Sequence, residues 1–362
     1  MLGGSKASTG GQPSPLPGKE GEPAFQRTIV AVGDLHGDYP NMMTVLKMAK
    51  VVSENGTWTG NVDYLVQTGD IVDRGDDTLK MYRYLENLRV QAQKAGGDIR
   101  SHFGNHEVMN LIGDWRYVPQ KEILTFGGVE ARQQMLSRGW LGQTWRANYT
   151  ITTRLPLHPS LGPINTDYDP EKAGRLQDIS HAAVSFLHGG LSPTYEDLTP
   201  YPSRINSLGA SLVKKLQERR PLPAPHPPNQ YPGLPPATTQ AEHELYGGNG
   251  PLWYRGWAMD KDAVVCKKVD AVVEKLGVRR LVMGHTPNFT GIVSRCGGKI
   301  LLIDTGISHA YGGVLSAARF SYTLTPTKQK GYWIEKEVVT AIYEQKEEVL
   351  VDSEREIQAD FI

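Results

Sequence analysis

Apolar runs of strand length alternate with helical patterns in the first third of the chain. The runs at residues 28–32, 63–68 and 99–103 carry the β-branched and aromatic side chains that strands favour. Residues 42–52 and the stripe from Leu79 to Ala92 follow the first two runs and repeat apolar positions at helical spacing. Pro40 stands where the first turn of the first helix would begin. This order of strand, loop and helix predicts an α/β fold with neighbouring strands in one sheet.

The same patterns continue along the rest of the chain. Further strands are predicted at residues 182–187, 280–283, 319–324 and 331–342, and helices at residues 129–138, 203–219 and 261–276. Residues 291–307 predict a hairpin, because two apolar runs flank Cys296-Gly297-Gly298. Residues 161–178 have no clear period and are expected to form a polar loop.

Four parts of the chain depart from this pattern. Residues 1–24 are rich in Gly, Ser and Pro, which predicts a disordered arm. The acidic residues 344–362 are expected to fray. The main domain is therefore placed at residues 25–343, with a helical and loop insertion at about 111–180 and a Pro-rich surface loop at 221–236.

Polar side chains follow the predicted strands at the points where they end. They are Asp34, His36, Asp70, Asn105, His188 and His285. In open α/β sheets, ligands bind beyond the carboxyl ends of the strands, so these loops are expected to share one crevice. Oxygen and imidazole ligands without thiolates suit Mn²⁺, iron or Zn²⁺, with Mn²⁺ the leading candidate.

The crevice is expected to hold two divalent ions. Asp70 can bridge them through its two oxygens, and ions roughly 3.5–4 Å apart can hold a hydroxide and clamp a phosphate. Arg74 and Arg255 are candidates to bind phosphate, because guanidinium forks match its oxygens. The alternative for Arg255 is a packed aromatic patch with Trp253 and Tyr254.

A leaving alkoxide requires a proton, and His106 is the candidate general acid. It directly follows Asn105 and is not expected to face the same metal. Asp73 is positioned in the sequence to orient the His106 ring, as carboxylates do for imidazole. His309 and Tyr311 follow the last ligand loop and are candidates to line the pocket.

Composition and charge exclude some function classes. Lys plus Arg and Asp plus Glu are equal at 39 each, which argues against a nucleic-acid binder that works by bulk charge. No apolar run has the length of a membrane span, and residues 1–24 lack the apolar segment of a signal peptide. We therefore expect a cytoplasmic protein without a nucleic-acid or membrane partner.

The only cysteines are Cys266 and Cys296, which form neither a disulfide framework nor a Cys-x-x-Cys site. Two free thiols in a reducing compartment is the simpler interpretation. One bridge is the alternative, because the spacing does not exclude it.

These motifs resemble the signature of the phosphoprotein phosphatase family of calcineurin-like metallophosphoesterases. That signature combines Gly-Asp-x-His-Gly, Gly-Asp-x-x-Asp-Arg-Gly, Gly-Asn-His-Glu, His-Gly-Gly and a last His. Here the motifs stand at residues 33–37, 69–75, 104–107, 188–190 and 284–285. The resemblance implies a central β-sandwich flanked by helices, rather than a simple doubly wound sheet.

The resemblance also implies roles for individual residues. The implied metal ligands are Asp34, His36, Asp70, Asn105, His188 and His285, and the implied phosphate contacts are Arg74 and Arg255. Asn105 and Tyr311 are further expected substrate contacts. His106 would be the acid, with Asp73 behind it. The implied activity is hydrolysis of phosphoserine or phosphothreonine by in-line attack of a metal-bridging hydroxide.

Several segments depart from the common eukaryotic enzymes of this family. Their Ser-Ala-Pro-Asn-Tyr motif is missing, and residues 307–311 stand there instead. Residues 251–256 and 284–287 and the inserted middle are similar to the Shewanella-like, bacterial-type branch. These departures argue against inhibition by the usual toxins and against binding of the usual regulatory subunits. They also leave phosphotyrosine open as a substrate.

Two alternatives to a phosphoprotein phosphatase remain at this point. One is a hydrolase of dinucleoside polyphosphates or other small molecules, against which Gly-Asn-His-Glu argues weakly. The other is a non-catalytic binding module, against which the full ligand set and His106 argue.

Overall fold

The computed structural model describes residues 21–219 and 233–359 of the chain. Most of the predicted N-terminal arm (1–24) and of the Pro-rich loop (221–236) therefore lies outside the described residues. No helix within the described ranges is long and apolar enough to cross a membrane.

The described residues form two β-sheets and the helices around them. The strands are β1 Phe25–Val32, β2 Tyr64–Gln67, β3 Asp98–His102, β4 Tyr149–Thr150, β5 Thr152–Pro156, β6 Ala183–Leu187, β7 Arg280–Met283, β8 Val293–Arg295, β9 Ile300–Leu302, β10 Ser316–Pro326, β11 Tyr332–Tyr343 and β12 Glu347–Gln358. The helices are α1 Tyr39–Met48, α2 Thr78–Lys94, α3 Asn105–Ile112, α4 Gln120–Thr125, α5 Val129–Ser137, α6 Trp140–Asn148, α7 Pro170–Ala173, α8 Ser203–Glu218, α9 Gln240–Tyr246, α10 Gly256–Met259 and α11 Asp262–Leu276. Short 3₁₀ helices lie at Pro159–Leu161, Gly174–Ile179 and Glu196–Leu198.

The strand order places the carboxyl ends of the parallel strands together. Among the described residues, one sheet has the order β12-β11-β10-β1-β2-β3-β4 and the other has the order β5-β6-β7-β9-β8. Strands β1 to β4 are parallel, and so are β6, β7 and β9. The loops that follow these strands carry the predicted site residues, so the topology brings them to one end of the molecule.

The two sheets pack face to face. Alternate residues of a strand point to opposite faces, so Ile29 and Ala31 of β1 lie in one apolar cluster and Val30 and Val32 lie in another. The first cluster also contains residues of β6, β7 and β9, and the rings of Phe186 and Phe320 meet across it with centroids 5.6 Å apart. The predicted α/β fold, a β-sandwich flanked by helices, is confirmed.

The described residues differ from three expectations for the acidic end and the middle of the chain. The acidic end does not fray as expected within the described residues, because β12 pairs with β11 along its length and turns most of its charges to solvent. The segment at 111–180 holds the helices α4 to α7, but it also holds the strands β4 and β5, which belong to the two sheets. Residues 161–178 include short helices rather than only a polar loop.

The first helix ends earlier than the apolar pattern indicated. Pro40 was expected in its first turn with residues 42–52 following, whereas α1 is Tyr39–Met48. Its start agrees with the expected turn at Pro40, and there the carboxylate of Asp38 accepts the backbone N–H of Asn41 at 3.0 Å. It ends early because Lys50 has a φ of 58°, which is outside the helical region.

The two cysteines are not free. Cys266 of α11 and Cys296 in the turn between β8 and β9 form a disulfide, with Cα atoms 5.1 Å apart. The free-thiol interpretation was therefore wrong, and the single-bridge alternative is confirmed. Spacing in the sequence could not decide this, because it does not show that the hairpin packs against the helix.

A fully buried histidine in β3 is neutral in the folded protein. Nδ1 of His102 lies 2.9 Å from the carbonyl of Gln67, and Nε2 lies 2.9 Å from the hydroxyl of Thr153. A carbonyl only accepts, so Nδ1 donates and Nε2 accepts from the hydroxyl. Burial lowers the pKa of His102 from 6.5 to about 4.

We expect this histidine to destabilise the metal-free protein in mild acid. As the pH falls from about 6.5 to about 4, the unfolded chain binds a proton that the folded chain excludes, so the free energy of unfolding decreases. The loss reaches up to about 3 kcal/mol and is absent above pH about 7. Urea unfolding across this range should give a flatter pH dependence for His102→Gln than for the unsubstituted chain, and equal slopes would contradict the assignment.

Candidate active site and metal centre

The first two strand-end loops are joined by their main chains. The backbone N–H groups of Leu35 and His36 both donate to the carbonyl of Asp70 at 3.0 Å. Gly37 has a φ of +66°, and a Cβ atom on it would lie 2.6 Å from the backbone of Gly75. A side chain would not fit between the two loops there, which explains a glycine in each motif.

Three buried histidines in the crevice each hydrogen-bond a backbone carbonyl through one ring nitrogen. The bonds are His36 Nδ1 to Val72 O (2.9 Å), His188 Nδ1 to Thr68 O (3.0 Å) and His285 Nε2 to Trp253 O (3.2 Å). Because a carbonyl only accepts, these nitrogens carry the proton in the neutral rings. The other nitrogen of each ring is then left with a lone pair, as in histidines that bind metals.

The lone pairs converge on Asp70. Nε2 of His188 lies 3.3 Å from Asp70 Oδ2, and Nε2 of His36 lies 3.7 Å from the same oxygen. Nε2 of His188 and Nδ1 of His285 are 3.1 Å apart, although neither nitrogen has a proton to share. Two facing lone pairs repel each other unless a cation lies between them, so the donor set fits a divalent metal.

Among the described residues, two overlapping groups of side chains have the spacing of metal ligands, and they share Asp70. One group is His36, Asp70 and His106, and the other is Asp70, His188 and His285; within each group the ligand atoms lie within 4.8 Å of one another. Asn105 adjoins the second group, with Oδ1 2.8 Å from His188 Nε2. The shared carboxylate is where a bridge between two ions was predicted.

Asp34 lies in the same crevice but outside both groups. Its carboxylate accepts the backbone N–H of His285 at 3.1 Å, and its Oδ1 is 3.8 Å from His188 Nδ1. Burial, Asp304 and Asp70 together raise the pKa of Asp34 well above its usual range. A cation would relieve this crowding of buried carboxylates.

The pKa of Asp70 is shifted in the opposite direction to that of Asp34. In the absence of metal, burial opposes ionisation of its carboxyl group, but attraction to the protonated forms of His188, His106 and His36 outweighs burial and holds the pKa of Asp70 well below its usual range. Asp70 is therefore ionised in the folded protein, which a carboxylate ligand requires.

His106 and Asp73 form a close buried pair, as predicted from the sequence. Nδ1 of His106 lies 2.6 Å from Asp73 Oδ2, and its Nε2 lies 3.8 Å from Asp70 Oδ2. Burial disfavours the charged ring, but Asp70 and Asp73 outweigh it and raise the pKa of His106 to about 9. The proximity to Asp70 also places His106 in one of the two metal-ligand groups, which its position after Asn105 did not indicate.

The two candidate phosphate-binding arginines differ in their surroundings. Arg74 is exposed, and its guanidinium lies over Tyr117 and Tyr311, at 4.1 and 5.2 Å from their ring centroids. Arg255 is half-buried and donates from Nη1 to the carbonyl of His285 at 2.7 Å. This contact connects Arg255 to the loop that carries His285. It favours a place for Arg255 in the site over the alternative of a packed aromatic patch.

The last loop contributes one aromatic side chain to the crevice. The ring of Tyr311 lies 5.2 Å from that of His36, and burial raises the pKa of Tyr311 to about 12. The side chain of His309 is 72% exposed, and its Nδ1 lies 2.6 Å from the buried carboxylate of Asp38. Tyr311 thus lines the crevice, whereas His309 lies at its rim.

Two buried carboxylates of the site were not assigned a role from the sequence. Glu107 accepts the backbone N–H groups of Gly104, Asp70 and Ile71 at 2.7–2.9 Å and so holds the Asp70 loop in place. Asp304 lies beside Asp34, and burial raises its pKa to about 6. Both could have been found: Glu107 belongs to Gly-Asn-His-Glu, and Asp304 follows an apolar run, as the other site residues do.

Comparisons with known proteins show which family this chain resembles. The family model of the calcineurin-like phosphoesterases matches residues 27–289. An uncharacterized protein of Schizosaccharomyces pombe is 37% identical over 301 residues, which cover 82% of this chain and 78% of that protein. Shewanella-like protein phosphatase 2 of Arabidopsis thaliana is 28% identical, over 77% of this chain and 71% of its own.

A solved structure shares the fold. The structure of a cold-active protein tyrosine phosphatase superposes with a TM-score of 0.62 and 22% identity, and covers 90% of this chain and 78% of its own. Since the family model spans most of the chain and the metal-ligand geometry is present, divalent metal ions are implied as cofactors. The chain belongs to the calcineurin-like phosphoesterase family, and its relatives include Shewanella-like protein phosphatases.

Proposed function

We propose that the protein is a metal-dependent phosphatase that hydrolyses phosphomonoesters on proteins. The observation that carries the proposal is the arrangement around Asp70, where Nε2 of His36 and Nε2 of His188, which carry lone pairs in the neutral rings, converge on one carboxylate. Cations stabilise lone pairs and a carboxylate that face one another, and phosphate esters are substrates that paired cations bind and polarise.

The proposed cofactors are two divalent ions, with Mn²⁺ the leading candidate and iron or zinc as alternatives. Asp34, His36 and Asp70 would hold one ion, and the other would be held by Asp70 with Asn105, His188 and His285. When bound, such a pair supplies an activated water and neutralises charge on the phosphate.

The side chains of this chain would bind the substrate and move the proton. The exposed guanidinium of Arg74 can donate to phosphate oxygens, while the rings of Tyr117 and Tyr311 pack against it. Arg255, Asn105 and Tyr311 are the further proposed substrate contacts. His106 would donate its Nε2 proton to the leaving oxygen as the phosphorus–oxygen bond breaks, with Nδ1 held by Asp73.

Protein substrates are proposed from the relatives. The Arabidopsis relative is named a protein phosphatase, and it aligns over 77% of this chain. Phosphoserine and phosphothreonine are the proposed substrates, with phosphotyrosine open. A small-molecule phosphoesterase acting on dinucleoside polyphosphates is the second candidate, and we do not expect the usual regulatory subunits to bind.

A substrate panel on Mn²⁺-loaded protein tests the proposal. We expect turnover of phosphopeptides that exceeds turnover of diadenosine tetraphosphate by about tenfold or more in kcat/KM, and loss of turnover after chelation. Phosphoserine, phosphothreonine and phosphotyrosine forms of one peptide sequence would rank the three ester types. Preferred hydrolysis of the dinucleotide would support the second candidate, and no hydrolysis of any ester would indicate a binding module.

A further inference from the structure

A buried chain of polar side chains extends from the His106–Asp73 pair into the helices α3 to α5. Its members beyond Asp73 are Asn110, Arg132 and Glu122, and their exposed fractions are 3%, 0% and 0%. This series of side chains begins at His106, the candidate acid, and ends at Glu122 in α4, about 16 residues further along the sequence. It connects the site to α4 and α5, which contain none of the strand-end motifs.

The amide of Asn110 has only one orientation that satisfies its neighbours. Nη1 of Arg132 lies 2.6 Å from Asn110 Oδ1, and a guanidinium only donates. Nδ2 of Asn110 lies 2.8 Å from Asp73 Oδ1, and an amide NH2 group only donates. The arginine therefore sets the orientation in which Asn110 donates to Asp73.

Asn110 also restrains the backbone of the candidate acid. Its Nδ2 lies 2.8 Å from the carbonyl of His106, so one amide group contacts both members of the His106–Asp73 pair. One carboxylate oxygen of Asp73 accepts a hydrogen bond from Asn110, and the other accepts one from the His106 ring. Rotation of the carboxylate would break both bonds.

Arg132 is itself held on several sides. Its Nη2 lies 3.3 Å from both oxygens of Glu122, and the rings of Trp115 and Phe126 lie 4.5 and 5.0 Å from its guanidinium carbon. Burying an ion pair costs desolvation energy, and an apolar pair would fill the same space at less cost. Stability alone therefore does not explain the buried Arg132–Glu122 pair, whose arginine also bonds Asn110.

We propose that Asn110 and Arg132 are positioning residues, which hold Asp73 and thereby keep His106 aimed at the leaving oxygen. The proposal rests on the proposed function, in which His106 is the general acid. Neither residue touches the substrate. Their effect is on proton donation alone. The loss of rate in their variants should therefore be larger for a substrate whose leaving group must be protonated as it departs.

Two small substrates separate proton donation from the rest of catalysis. Phenyl phosphate releases a phenol with a pKa of roughly 10, like that of tyrosine, and benefits from an acid. p-Nitrophenyl phosphate has nearly the same size but releases a much better leaving group, which needs little protonation. The ratio of the two kcat values reports on the acid, whereas a general loss of structure or metal lowers both values together.

The experiment compares Asn110→Ala with the unsubstituted Mn²⁺-loaded protein on both substrates. We expect kcat for phenyl phosphate to fall about tenfold or more relative to p-nitrophenyl phosphate, since misplacing an acid forfeits part of its roughly 10²–10⁴-fold effect, with little change in KM. Glu122→Gln, which keeps the shape but weakens the hold on Arg132, should shift the ratio in the same direction by less. In a His106→Asn background, Asn110→Ala should change the ratio no further.

Val108→Ala is the matched control, because Val108 is fully buried in the same helix but has no polar group to offer Asp73. It should lower the melting temperature without changing the ratio. If Asn110→Ala does not fold, Asn110→Ser and Glu122→Gln carry the test. Equal losses on both substrates in these variants would overturn the positioning role while leaving the proposed function intact, whereas no turnover by the unsubstituted protein would overturn both.

Discussion

Replacing Asp70 with asparagine should abolish stable metal binding and turnover. The Asp70 carboxylate faces ring nitrogens of His188, His36 and His106 at 3.3–3.8 Å, and an amide offers one neutral oxygen in place of two charged ones. The substitution keeps the shape, and the amide oxygen can still accept the backbone N–H of His106, so we expect the fold to persist. Elemental analysis after dialysis should find metal reduced to well under one ion per chain.

The control for this variant is Asp76→Asn. Asp76 lies close by in the sequence, but its carboxylate pairs with Lys121 at 2.5 Å and not with the histidines. It should keep the metal content and turnover of the unsubstituted protein. Full metal occupancy in Asp70→Asn would contradict the role of Asp70 as a metal ligand.

Replacing His106 with asparagine should lower kcat on phenyl phosphate by roughly 10²–10⁴-fold while metal content is retained. The reason is that Nδ1 is committed to Asp73 at 2.6 Å, which leaves the Nε2 proton for the leaving group. Asparagine has no proton of comparable acidity. Turnover of p-nitrophenyl phosphate should decrease much less.

The metal content of this variant separates two roles for His106. Because Nε2 lies 3.8 Å from Asp70, the geometry also allows His106 to serve as a ligand. A variant that loses metal together with turnover would contradict the acid role. The exposed His243 offers a control, since His243→Asn should change neither quantity.

The sequence predicts much of the site because parallel strands end together. Once residues 28–32, 63–68 and 99–103 are identified as strands, the polar residues after them must lie at one edge of a sheet. The same rule placed His188 and His285, and it would also have found Asp304. The structure brings all of these side chains into one crevice, although Asp34 lies outside the two groups with metal-ligand spacing.

Features that depend on partners distant in sequence could not be predicted in this way. The acidic composition of β12 indicated a frayed end, but its backbone pairs with β11 while its charges face solvent. The bridge between Cys266 and Cys296 depends on how a hairpin packs against a helix. Asn110 and Arg132 have no pattern in the sequence, because their importance comes only from what they contact.

The most direct test of a paired metal centre is anomalous diffraction from crystals of the Mn²⁺-loaded protein. Two manganese peaks should flank the carboxylate of Asp70, one beside His36 and the other beside His188 and His285. No manganese at Asp70, or a single ion bound by other side chains, would contradict the two-metal site and the hydrolysis proposed from it.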